Sequence, residues 1–80
     1  MIEHNPETML LAVIHHDHEL LQLNALKWVK EYVDHNECGL AYDILIGEIS
    51  RGKYEPSNQS LRLIKKVANE LGVIYPNITF

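Results

Sequence analysis

The sequence predicts an all-α fold, a compact bundle of about four helices with a short extended C-terminal tail. Apolar residues recur at helical spacing in the longer segments. Residues that favour helix starts and ends, such as Asn5, Ser57, Gly52 and Gly72, bound these segments. The 80 residues, hydrophobic to 46%, are expected to form one domain, 1–80, near the lower size limit for a core without disulfides or metals.

The first helix is predicted from Pro6 to about His16. Asn5 can cap free amide groups, proline is tolerated at the first helical position, and Glu7 suits the helix dipole. The run MLLAVI has no clean period and is compatible with a strand, so the capping signal decides for a helix.

The second helix is predicted from about Leu20 to His35. Its expected core side consists of Leu21, Ala25, Trp28, Val29, Tyr32 and Val33, and its expected polar side of Asn24, Lys27, Lys30, Glu31 and Asp34. The segment HHDH either continues the first helix into the second or separates them, and both alternatives stay open.

The third helix, from about Glu37 to Arg51, is apolar over more than half of its circumference. Its polar window consists of Asp43, Gly47 and Ser50. Such a helix is either the centre of the bundle or a core helix with surplus apolar surface for a partner. Gly52 is predicted to end it in a left-handed conformation.

Ser57, behind Pro56, is predicted to cap a fourth helix that stops at Gly72. Its expected core face consists of Leu61, Leu63, Ile64, Val67, Ala68 and Leu71. The tail VIYPNITF is β-branched and aromatic and contains a proline, which predicts an extended strap over the bundle.

The formal charge of −4 is unevenly distributed. Residues 1–37 carry seven acids against two lysines, whereas the rest of the chain has one base more than acids. This acidity disfavours nucleic acid as a direct ligand and favours a basic protein partner, although acidic surfaces also serve solubility alone.

A cytoplasmic location is expected. Cys38 is the only cysteine, so no intrachain disulfide can form. The N-terminus lacks the features of a signal peptide, and the longest apolar run, Met9 to Ile14, is too short to cross a membrane. We therefore expect a soluble protein without membrane association.

Neither an enzyme nor a metal or cofactor site is predicted. The cluster from His15 to Glu19, with His4, contains zinc-type ligands, but only the isolated His35 follows, so solvated histidines are the simpler interpretation. Cys38 has acidic neighbours, which disfavour a thiolate. Phosphate loops, paired catalytic carboxylates and CxxC motifs do not occur.

One alternative is a DNA-binding regulator. The segment RGKYEPSNQSLRLIKKVANELGV resembles the end of phage-repressor-type helix-turn-helix domains. However, the apolar segment YDILIGEIS stands at the position of the recognition helix, and it has almost no side chains that can donate hydrogen bonds to bases. Five basic residues are compatible with a phosphate-contacting stripe: Arg51, Lys53, Arg62, Lys65 and Lys66. For the last three, the solvated face of an amphipathic helix is the simpler explanation.

A second resemblance covers residues 26–73. Its residues are Glu37, Gly39, Leu40, Ala41, Asp43 and Leu45, followed by Ser57, Leu61, Ile64, Ala68, Leu71 and Gly72. In this order they resemble the small MafI-like immunity proteins of bacterial toxin systems. The resemblance implies a cytoplasmic antidote that binds a cognate toxin domain, often a nuclease, without doing chemistry.

The candidate partner contacts are the acids on successive turns, Glu31, Asp34 and Glu37, together with Asp43 and with Tyr42 as an amphipathic anchor. A nuclease presents a basic cleft, so an acidic inhibitor is attracted by the field that attracts nucleic acid. Each acid taken alone is also compatible with an ordinary solvated charge. No oligomeric state is predicted.

Overall fold

A computed structural model describes residues 5–76, which contain four α helices and no strand. The helices are α1 (Pro6–Asp17), α2 (Leu23–Asp34), α3 (Cys38–Ser50) and α4 (Asn58–Leu71). This confirms the all-α bundle. Within the described range, none of the helices is long and apolar enough to cross a membrane. Residues 73–76 are without regular structure, and the remainder of the expected strap, 77–80, lies outside the described residues.

The four helices pack mainly as two pairs, α1 with α4 and α2 with α3. Side-chain hydrogen bonds join Asp17, the last residue of α1, to Ser57 at the start of α4. At the other end of this pair, Pro6 and Leu71 line the same groove. The starts of α1 and α3 and the ends of α2 and α4 therefore lie at one end of the bundle.

The predicted caps are confirmed. The Asn5 side chain accepts a hydrogen bond of 2.8 Å from the amide of Thr8, and Ser57 accepts one of 3.3 Å from the amide of Ser60. Gly52 (φ 72°) and Gly72 (φ 73°) both adopt the left-handed conformation that favours glycine after a helix. The capping residues thus fix the helix ends that the sequence indicates.

Helices α1 and α2 are separate, which resolves the alternative left open at HHDH. The amides of Leu20 and Leu21 both donate to the carbonyl of Asp17, at 2.8 and 3.1 Å, so the chain turns tightly after α1. For this reason α2 begins at Leu23, three residues later than the predicted Leu20.

Of the predicted core residues, Leu21, just before α2, and Ala25, Val29 and Val33, on α2, are buried. Trp28 is an exception, because 49% of it remains exposed and its ring stacks on Tyr32 with 5.9 Å between centroids. The buried stripe of α2 is therefore narrower than predicted, with the aromatic pair at its edge.

Helix α3 is not enclosed on all sides. Its buried apolar residues are Ala41, Tyr42, Leu45 and Ile49. Leu40 is 44% exposed, and Asp43 and Ser50 are exposed as predicted. Helix α3 therefore combines a core side with apolar and polar surface that no residue of 5–76 covers.

Candidate functional site

Exposed carboxylates gather at the end of the bundle where α1 and α3 begin and α2 and α4 end. We call this surface the acidic end; it consists of Glu7, Glu31, Asp34, Glu37 and Glu70. Ion pairs within 4.0 Å occur between residues 5 and 76 only for His18 with Glu19 and for Arg51 with Glu48. Within that range, the carboxylates of the acidic end consequently have no Lys or Arg partner.

The chain reverses between α2 and α3, and this reversal places Glu31, Asp34 and Glu37 at the same end of the bundle. Asn36 adopts a left-handed conformation (φ 60°), which asparagine tolerates better than most residues. The amide of Asn36 donates to the carbonyl of Val33 at 3.0 Å, and the amide of Glu37 donates to that of Tyr32 at 2.8 Å. The carboxylate of Glu37 makes no capping hydrogen bond to α3, so it is available to a partner.

His35 lies within the electrostatic reach of Glu31, Asp34 and Glu37. Its Nδ1 and the carbonyl oxygen of Glu31 are 2.8 Å apart, and this hydrogen bond is the main cause of a raised His35 pKa. The negative charges of the three carboxylates raise the pKa further. The structure thus brings together three of the five residues predicted as partner contacts.

The other two predicted contacts lie elsewhere. Asp43 is exposed on α3 and is not among the groups that raise the His35 pKa. Tyr42 is only 5% exposed, and its hydroxyl is buried without a hydrogen-bond partner within residues 5–76. It follows Ala41 and precedes Leu45 on the core side of α3, which corrects the expectation that Tyr42 is presented at the surface.

A groove of about 440 Å³ opens between the start of α1 and the reversal before α3. It is lined by Asn5, Pro6, Glu7, Asn36, Glu37, Cys38, Gly39 and Leu71. Burial is the main cause of a raised Cys38 pKa, and the negative charge of Glu7 raises it further. The thiol is therefore protonated at neutral pH, as expected for a packing cysteine rather than an activated nucleophile.

A buried polar cluster, which the sequence does not predict, lies at the opposite end of the bundle. Asp17 is 1% exposed and accepts hydrogen bonds from Tyr54 Oη (2.6 Å), Ser57 N (3.0 Å) and Ser57 Oγ (2.7 Å). Burial alone raises the pKa of Asp17, but the hydrogen bonds from Tyr54 and Ser57 outweigh it and lower the pKa. The spacing of Asp17 from the buried Leu10 and Val13 is the signal that places it on the core side of α1.

The histidine cluster does not assemble a ligand set in the described part of the chain. His15, His16 and His18 are exposed, whereas Asp17 between them points into the core. Among residues 5–76, no three His, Cys, Asp or Glu side chains lie close enough together to hold a metal ion.

Two of the five basic residues in the possible phosphate-contacting stripe have intramolecular partners. Arg51 Nη2 lies 2.6 Å from Glu48 Oε2, and Lys65 Nζ lies 5.5 Å from the centre of the Tyr75 ring. On α3, the exposed side chains are those of Leu40, Asp43 and Ser50. None of these three resembles the arginine, lysine, asparagine or glutamine side chains with which recognition helices usually read bases.

No protein-family model, curated protein or solved structure matches the chain in comparisons with known proteins.

Proposed function

We propose that this protein is a cytoplasmic immunity protein that neutralises a cognate bacterial toxin domain, a nuclease, by covering its basic cleft. The observation that supports this proposal is the placement of Glu31, Asp34 and Glu37 on one exposed end of the bundle, around His35 and without a Lys or Arg partner in residues 5–76. The resemblance to the MafI-like family, noted from packing and capping residues, supplies the class of partner.

The physical basis of the proposal is electrostatic complementarity. A single exposed acid contributes little to binding, but a cluster of like charges produces a field that steers an oppositely charged surface and raises the association rate. A nuclease needs cations in its cleft in order to bind phosphates. The inhibitor therefore needs no catalytic group, because occupying the cleft is sufficient.

The proposal is tested by expressing the protein together with the product of the gene immediately upstream. The neighbouring product alone is expected to arrest growth, and coexpression of the present chain is expected to restore growth through a complex that copurifies. The charge-reversed variant Asp34→Lys/Glu37→Lys is expected to protect less well. If the neighbour stays equally toxic beside the soluble wild-type chain, the proposed function is wrong.

A further inference from the structure

The lining of the groove at the acidic end combines apolar and acidic residues. Pro6, Leu71 and the partly buried Cys38 contribute its apolar surface. Its acidic residues are Glu7, from the first turn of α1, and Glu37, the residue before α3. Among residues 5–76, the lining contains no Lys, Arg or His.

The helix ends around the groove do not reverse this charge. Two helices begin at this end of the bundle and two end there, so their dipoles oppose one another and largely cancel. At the start of α1, the amide of Thr8 already donates a hydrogen bond to the side-chain Oδ1 of Asn5. The carboxylates therefore determine the sign of the potential in the groove.

The Glu7 carboxylate lies close enough to act on another residue of the groove lining. Glu7 and Cys38 are far apart in sequence and belong to different helices, yet the Glu7 carboxylate contributes to the raised pKa of the Cys38 thiol. Glu37 also lines the groove, and its negative charge contributes to the raised pKa of His35, which lies outside the lining. Glu7 and Glu37 thus come from separate parts of the chain and meet at the same groove.

We infer that the groove between the start of α1 and the start of α3 receives a basic side chain, lysine or arginine, of a protein partner. Its aliphatic stem packs on Pro6 and Leu71, while its cationic group lies between Glu7 and Glu37. The identification of this partner as a toxin rests on the proposed function. The inferred preference of the groove for a cation does not depend on the proposed function.

Cys38, the only thiol of the chain, reports the charge in the groove directly. The protein is treated separately with a cationic and an anionic methanethiosulfonate, 2-(trimethylammonio)ethyl and 2-sulfonatoethyl. Each forms a mixed disulfide with Cys38 and releases methanesulfinate. Because both reagents react with the same thiolate, the pKa of Cys38 cancels in the ratio of their rates.

This ratio, cationic over anionic, is expected to be roughly tenfold higher in the folded protein than in the same protein unfolded in urea. The variant Glu7→Gln/Glu37→Gln is expected to lose most of this preference. The matched control, Glu19→Gln/Glu55→Gln, removes two exposed acids from the opposite end and is expected to keep it. Thermal unfolding of both variants verifies that they remain folded. Equal ratios in the folded and unfolded protein overturn the inference.

Occupancy of the groove is tested with L-argininamide in a ¹⁵N NMR titration. Shifts are expected at the amides of Glu37, Cys38, Gly39 and Leu71, and the Glu7→Gln/Glu37→Gln variant is expected to lose them. Shifts spread evenly over the bundle, or unchanged in that variant, overturn the inference.

Binding to the upstream gene product separates this inference from the proposed function. If the wild-type chain binds it and Glu7→Gln/Glu37→Gln binds at least tenfold more weakly than the control variant, the groove is confirmed as a contact. If both variants bind equally well, the inference about the groove is wrong while the proposed function stands. If the wild-type chain binds argininamide in the groove but not the gene product, the proposed function is wrong and the preference for a cation stands.

Discussion

The hydroxyl of Tyr54 donates a hydrogen bond of 2.6 Å to Oδ2 of Asp17, 37 positions earlier in the chain. Ser57 adds hydrogen bonds from its amide and its hydroxyl to the same carboxylate. A buried charge is tolerated only where hydrogen bonds replace those to water. This carboxylate therefore ties the end of α1 to the loop that leads into α4, and it makes no direct contribution to the acidic end.

Replacing Asp17 with asparagine is expected to lower the free energy of unfolding by about 2–3 kcal/mol. Asparagine keeps the shape but loses the charge, and its amide group places a donor where donors already converge. Urea denaturation measures the effect. Asp43→Asn, on the exposed side of α3, is the control and is expected to stay within about 0.5 kcal/mol of the wild type. Equal effects of the two substitutions contradict the assigned role of Asp17.

The stability gained from Asp17 is expected to depend on pH. Its pKa in the folded protein lies below the ordinary value of 3.8, because the hydrogen bonds from Tyr54 and Ser57 outweigh the effect of burial. The contribution is therefore complete above about pH 4–5 and is lost as the pH falls through the lowered folded-state pKa. Unfolding measured from pH 7 to pH 2 is expected to show the difference between wild type and Asp17→Asn shrinking with acid. A constant difference contradicts this linkage.

The pKa of His35 is expected to lie above its ordinary value of 6.5, first because of the hydrogen bond to the Glu31 carbonyl and then because of the nearby carboxylates. NMR titration of the ring protons measures it. The variant Asp34→Asn/Glu37→Gln is expected to lower this pKa, and Glu19→Gln is expected to leave it unchanged. If removing both acids does not move the titration, Glu37 and Asp34 do not act on His35 as described.

His35 also implies a small change of stability with pH, of opposite sign to that of Asp17. Since its pKa is raised in the folded state, its contribution is present below 6.5 and is lost as the pH rises through the folded-state pKa. Comparison of wild type with His35→Gln between pH 5 and pH 8 is expected to show the difference decreasing with rising pH.

Arg51→Ala is expected to destabilise the protein by about 1–2 kcal/mol, more than an ordinary surface substitution. Arg51 Nη2 lies 2.6 Å from Glu48 Oε2, and Glu48 is only 7% exposed. The substitution therefore leaves a nearly buried carboxylate without its arginine partner. Arg62→Ala, on the exposed side of α4, is the control and is expected to cost less than about 0.5 kcal/mol. Equal costs in urea denaturation contradict the importance of the Glu48 pair.

Local signals predicted the fold well because helix ends are determined locally. Asn5, Ser57, Gly52 and Gly72 occupy the caps expected of them. The sequence does not decide the conformation after Asp17, because three histidines around an aspartate are compatible with both a helix and a loop. The carbonyl of Asp17, which accepts two amides, decides in favour of a turn.

The exposure of the aromatic residues was harder to predict. The sequence predicts Trp28 on the core side of α2 and Tyr42 as a partner contact, whereas Trp28 is 49% exposed and Tyr42 only 5%. Helix α3 is apolar around most of its circumference, so periodicity alone does not define its buried side. A narrow stripe of buried residues from Leu21, just before α2, to Val33 fills the core and leaves Trp28 at its edge.

The acidic end could be predicted in part. Glu31, Asp34 and Glu37 are close in sequence, so helical spacing brings them together. The sequence does not predict Glu7 as a contact, because its position beside Cys38 follows from tertiary packing and not from local spacing.

The central claim, that the acidic end binds a positively charged toxin domain, is tested most directly by association kinetics with the purified domain encoded upstream. The wild type is compared with Asp34→Lys/Glu37→Lys and with Glu19→Lys/Glu55→Lys, which changes the net charge equally at the opposite end. We predict association at least tenfold slower for the first variant at low salt, a smaller difference at high salt, and nearly wild-type association for the second. Equal association rates for the two variants, or no complex with the wild-type chain, contradict the claim.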